Sequence, residues 1–124
     1  MLAIGVVTAL LSGCGGSTPS GPSGGGGTPT PATTITLTSA GVSPVAISVS
    51  QGTRVLFVNN DNRQHEMNSD PHPEHTDCVE INSIGFISPG QTKETGNLNS
   101  IRTCRYHDHN DPTNPRFQGR IVIQ

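Results

Sequence analysis

Basic residues are scarce and scattered in this chain: seven Lys and Arg against nine Asp and Glu in 124 residues, for a formal charge of −2. Without a Lys/Arg cluster the chain has no footprint for a phosphate backbone, which argues against nucleic acid as a partner. No segment shows helical periodicity, which removes helical bundles from consideration. The one sustained apolar run, residues 1–11, is too short to span a bilayer as a stable helix. Reactive groups are few, and neither Asn62-Arg63-Gln64 nor Asp108 with Asp111 supplies a nucleophile–base pair, so nothing points to an enzyme. With no Trp, one Tyr and three Phe, the five histidines are the chain's conspicuous side chains.

What is present falls into three zones. Ser12-Gly13-Cys14 follows the apolar run at once, the order of a signal peptide's apolar region and cleavage site. Leu11-Ser12-Gly13-Cys14 resembles the bacterial lipoprotein signal, in which cleavage leaves a cysteine as the first residue, to be lipidated. It departs from that signal in having no Lys or Arg before the apolar run. The resemblance implies that residues 1–13 are a signal peptide and that Cys14 is the lipidation site. The protein is then exported to a bacterial periplasm or cell envelope and anchored to the membrane by lipid. Residues 14–32 are dominated by Gly, Ser, Thr and Pro. Such a segment has no apolar surface to bury and reads as a flexible tether. Residues 33–124 are left as one domain.

That domain reads as all-β. "TTITLT" (33–38) and "VAISVS" (45–50) alternate apolar with small or polar residues, and "TRVLFVN" (53–59) is a fuller apolar run. "IGFIS" (84–88), "IRTCRYH" (101–107) and "GRIVIQ" (119–124) follow, punctuated by Gly, Pro and Asn. Short strands at this spacing predict a sandwich or barrel. Between Asn59 and Glu80 lies a polar stretch long enough, for so small a domain, to read as a functional loop.

The histidines fall in two groups, His65, His72 and His75 in that stretch and His107 and His109 after the penultimate strand. Imidazole is the commonest transition-metal ligand, and two separated loops at one end of a sandwich can converge on one ion. Pro71 and Pro73 stiffen the segment carrying His72 and His75. If the strand 101–107 runs on to residue 109, alternation puts His107 and His109 on one face.

"VSPVAISVSQGTRVLFVNNDNRQHEM" (42–67) resembles the first half of a cupredoxin domain, where a strand ending in Asn-x-Asp is followed by the first copper histidine. "CRYHDHNDPTNPRFQGRIVIQ" (104–124) resembles its second half, with a ligand loop and a closing Gly-x-Ile-x-Ile strand. The resemblance implies a Greek-key β-sandwich and copper as cofactor, with His65 in the place of the first copper histidine and 107–118 as the second ligand loop. A blue-copper site also needs a thiolate and usually a thioether. The position two residues after Tyr106, where the family carries its cysteine, is Asp108, and the place of the axial methionine is taken by Phe117.

Two readings of Cys104 stay open. In one it is a thiolate ligand with His109 and an axial Gln118, leaving Cys78 unpaired, and the protein is a blue-copper electron carrier. In the other, preferred because an exported chain meets oxidising conditions and Cys14 is already used, Cys78 and Cys104 form a disulfide. The ligands are then His65, His107 and His109, with His72 and His75 as supplementary donors and Asp108 or Glu66 as oxygen donors. Such a site suits one copper ion and also accepts zinc. The function expected is copper handling, by acquisition, buffering or delivery, with a redox or copper-delivery protein as partner. A metal-dependent oxidoreductase and a purely structural surface domain are the readings it displaces.

Overall fold

The computed structural model describes residues 30–124; the expected signal peptide (1–13), the expected lipidation site Cys14 and nearly all of the expected tether lie outside the described residues. Two mixed sheets stack face to face. The larger holds six strands in the order β1 (Thr30–Pro31), β4 (Ala46–Val49), β10 (Gln118–Ile123), β9 (Arg102–Asp108), β6 (His65–Ser69) and β7 (Gly85–Ile87). The smaller runs β3 (Gly41–Ser43), β2 (Thr34–Thr38), β5 (Leu56–Asn59) and β8 (Thr92–Glu94). β4 pairs with β10 and β2 with β5 in parallel, whereas β9 is antiparallel to both of its neighbours. A single helical turn, α1 (Val79–Asn82), and a 3-10 turn at Pro115–Phe117 complete the domain. Among the described residues no helix is long and apolar enough to cross a membrane.

Alternation builds the core. In β2, Ile35 and Leu37 are buried while the threonines between them are not; in β4, Ile47 and Val49 point inward to meet Ile121 and Ile123 of β10. Each large apolar side chain fully removed from water contributes roughly 1.5–3 kcal/mol. Phe57 of β5 and Tyr106 of β9 meet edge to face across the sandwich, centroids 5.3 Å apart. Tyr106 lies over Gly119, its cross-strand partner, where a Cβ would collide with the tyrosine hydroxyl and come within 2.7 Å of the Val45 carbonyl oxygen.

The strands expected from sequence are present with ends displaced by up to three residues, but the stretch 59–80 is not simply a loop. Residues 65–69 form β6, which joins β7 to β9. Its period-2 pattern is real, with His65, Met67 and Ser69 all fully buried, yet two of those three positions are polar and so carry no hydrophobic signal. The preceding turn is organised by buried Asn59, whose side-chain amide donates to the Arg63 and Ile87 carbonyls and whose oxygen accepts from the Asp61 N–H. Cys78 and Cys104 form the disulfide, tying the segment after β6 to the middle of β9.

Candidate metal centre

Strand β9 sorts the functional side chains. Successive residues face opposite sides, so Cys104, Tyr106 and Asp108 point toward the second sheet and Arg105 and His107 point away from it. His107 is still only 2 % exposed, because the segment after β6 lies over it. The strand ends at Asp108, whose carboxylate accepts the Asn110 N–H at 3.1 Å while its carbonyl accepts that of Asp111. The His109 N–H donates to the Glu66 carbonyl at 2.7 Å, and this turn brings His109 beside His107.

The covering segment is held by its own polar contacts. The His75 N–H donates to the Pro71 carbonyl, and that of Asp77 to the Asp70 carbonyl. His75 sits in the left-handed region at φ +53°, a conformation that costs a non-glycine residue roughly 1–2 kcal/mol. Asn82 of α1 compensates: its amide donates to the His75 carbonyl and its oxygen accepts the Ser69 N–H, both at 2.8 Å. The disulfide fixes the far end of the same segment to β9.

Four imidazoles converge as a result. One ligand nitrogen from each of His72, His75, His107 and His109 lies within 4.8 Å of the others. His75 Nε2 is 3.4 Å from His72 Nδ1 and 3.2 Å from His109 Nδ1. His107 donates from Nδ1 to Asp70 Oδ1 at 2.6 Å, which leaves its buried Nε2 without any partner. Four nitrogens bound at about 2.0–2.1 Å around a tetrahedral ion would stand about 3.3–3.4 Å apart, so two of the spacings already approach those of a ligand set. Burial is the first cause holding the His75 pKa below its usual value, followed by the charges of His109, His107 and His72. Each of these effects favours the neutral ring, the form that binds metal.

His65 is not part of this group, contrary to its expected place as a principal ligand. It projects into the sandwich with Met67, opposite in direction to His107, and is fully buried. Its Nδ1 lies 2.7 Å from Asp108 Oδ2 and its Nε2 3.0 Å from Asp61 Oδ2. Both ring nitrogens are thereby engaged by carboxylates inside the sandwich, away from the four clustered imidazoles. The ring packs on Phe117, centroids 4.6 Å apart, with the Arg63 guanidinium also over Phe117. Burial alone would raise the Asp61 pKa, but the Asn62 N–H, His65 and Arg63 together hold it below the usual value. Asp108 is no oxygen donor to the cluster either, since its other oxygen accepts the Glu66 and Asn110 N–H groups.

Cys104 offers no thiolate while bonded to Cys78, and Gln118 donates to the Pro112 carbonyl at 2.8 Å instead of approaching a metal position. Asp70 and Asn82 are the residues sequence reasoning did not single out. Asp70 precedes Pro71 in "SDPHPEH", but its partner is 37 positions away, and only the folded chain shows it.

No protein-family model matches the chain, and no curated protein does. Solved structures do. A purple cupredoxin from Nitrosopumilus maritimus is 15% identical over 75% of this chain and all of its own, with a TM-score of 0.56. A single-residue variant of amicyanin in its reduced state is 13% identical over 75% of this chain and 82% of its own, at 0.58. Oxidised plastocyanin from Dryopteris crassirhizoma is 15% identical over 73% of this chain and 99% of its own, at 0.57. Likeness at identities this low establishes the fold alone, and the sandwich is cupredoxin-like.

Proposed function

We propose that this chain is an exported, membrane-tethered protein that handles copper, taking up, buffering or delivering the ion through His72, His75, His107 and His109. The observation that carries the reading is the convergence of four imidazoles from two segments, one of them buried with an unpartnered Nε2 and a carboxylate on its other nitrogen. Copper is favoured over zinc by company: structures sharing the fold include an amicyanin described as its Cu(I) form. Imidazole suits both ions, so zinc is the competitor to test. Lipid anchoring rests on Leu11-Ser12-Gly13-Cys14 and the tether that follows. A copper-delivery or redox protein is the partner this implies, and the role is that of a carrier, not an enzyme.

Handling, in preference to electron transfer, follows from the donors. An electron-transfer copper site of the blue type uses a thiolate, and the cluster contains nitrogen alone. Copper titration of the exported domain tests the reading. The expected result is one ion bound, only weak visible absorption, and loss of binding in His107→Ala and His109→Ala. Intense blue absorption that disappears in Cys104→Ser would make the protein a blue-copper electron carrier instead, and no copper uptake would remove the metal role.

A further inference from the structure

The four histidines are not held alike. His107 is fixed by Asp70 and is buried; the chain at His109 is pinned by its N–H to the Glu66 carbonyl; the chain at His75 is pinned by Pro71 and Asn82. His72 is the exposed member of the group, while His75 and His109 are half-buried. Its ring lies against the other three rings, and its one hydrogen bond among the described residues, to His75, is a long 3.4 Å. Resting on the four-histidine reading above, we infer that His75, His107 and His109 form a fixed three-nitrogen platform and that His72 is a replaceable fourth ligand through which the ion is exchanged.

The chemistry is a ligand substitution. A copper-bound His72 nitrogen leaves with its lone pair, and a donor nitrogen, oxygen or sulfur of the acceptor takes the vacated position. The ion keeps its oxidation state throughout, and the three platform bonds then pass to the acceptor in turn. A site closed by four equally held ligands would have no such entry, which is the difference between structural metal sites and sites that keep an exchangeable position. The solvent-facing side of the cluster is the side on which His72 sits, so an incoming donor meets that ligand first.

The experiment uses the full chain loaded with one equivalent of copper, and follows affinity by competition and transfer to a small bidentate chelator by stopped flow. His72→Ala is expected to cost about tenfold in affinity, no more than the loss of a ligand's hydrogen-bond partner typically does, and His107→Ala or His109→Ala at least about a hundredfold, at or beyond the upper end of that range. Wild-type transfer is expected to reach a plateau with chelator concentration, because departure of His72 limits it. In His72→Ala the rate should exceed the wild-type plateau and rise linearly. His72 is exposed, so its replacement leaves the fold intact, and half-buried His109 provides a second comparison should His107→Ala unfold. An affinity loss in His72→Ala equal to that of His109→Ala, or a transfer rate unchanged from wild type, overturns the inference while leaving the metal site standing. A wild type that takes up no copper overturns both.

Discussion

Asp70 accepts one hydrogen bond of 2.6 Å from His107, and that bond decides which nitrogen of the ring is free. With Nδ1–H donated to the carboxylate, Nε2 carries the lone pair and faces the cluster. Asp70→Asn can hold the ring through its amide oxygen but loses the charge that makes the imidazole a better donor. It should weaken copper binding by roughly 10–100-fold with little change in thermal midpoint, as competition titration and melting curves of the same variant will show. A second residue-scale expectation concerns acid. The lowered pKa of His75 means that the unfolded chain takes up this proton more readily than the folded one. Stability from neutral His75 is therefore present above about 6.5 and is lost as pH falls through the lower folded value. Asp61 has the same sign at lower pH: its contribution is present above the unfolded value of 3.8 and disappears as pH falls through the lower folded one. Urea unfolding of metal-free protein between neutral pH and pH 3 should thus lose stability in two stages, and His75→Gln should remove the upper one.

At the scale of elements, the disulfide and α1 carry the segment that bears His72 and His75. Cys78 and Cys104 are 26 positions apart, and closing a loop of that length contributes roughly 3–4 kcal/mol in the chain-entropy picture. A Cys78→Ser/Cys104→Ser double variant should lose about that much stability by denaturant titration. It should also bind copper more weakly, because the covering segment is no longer tied to β9. Most elements were legible in the sequence for a plain reason. β2, β4 and β10 bury apolar residues at every second position, so the pattern and the fold state the same thing. β6 was not, because its inward residues include His65 and Ser69, and polar side chains facing a core look like a loop. The pairing of Cys78 with Cys104 could be read from redox context, whereas the separation of His65 from the other histidines could not. That separation depends on the partners Asp61 and Asp108, and Asp108 is 43 positions away from His65.

For the molecule as a whole, the histidine cluster and the apolar core are separate structures. The core is packed between the sheets by residues such as Ile35, Phe57, Met67 and Ile121, none of which belongs to the cluster. Removing metal should therefore leave the far-ultraviolet circular dichroism spectrum unchanged and the protein folded. Adding copper should raise the thermal midpoint by mass action alone, about 2.7 kcal/mol of stabilisation when free copper stands at 100 times the dissociation constant. A chain that unfolds on chelation would contradict that separation. The family resemblance gave the sandwich correctly but placed the first ligand at His65, where the folded protein has an imidazole clamped between two carboxylates.

The back-to-back placement of His107 and Asp108 on β9 has a consequence for how this strand finds its partners. A shift of β9 by one residue against β6 and β10 would send an imidazole into the sandwich and a carboxylate out to the cluster, since the side-chain period of a strand is two. His65 would then lose Asp108, and Asp70 would lose His107, in a single step. The two polar constellations thus act as independent checks on one alignment, one on each surface of the sheet. The hydrophobic pattern of β9, which includes only Cys104 and Tyr106 among its buried apolar positions, specifies that alignment weakly. Its polar residues complete the specification.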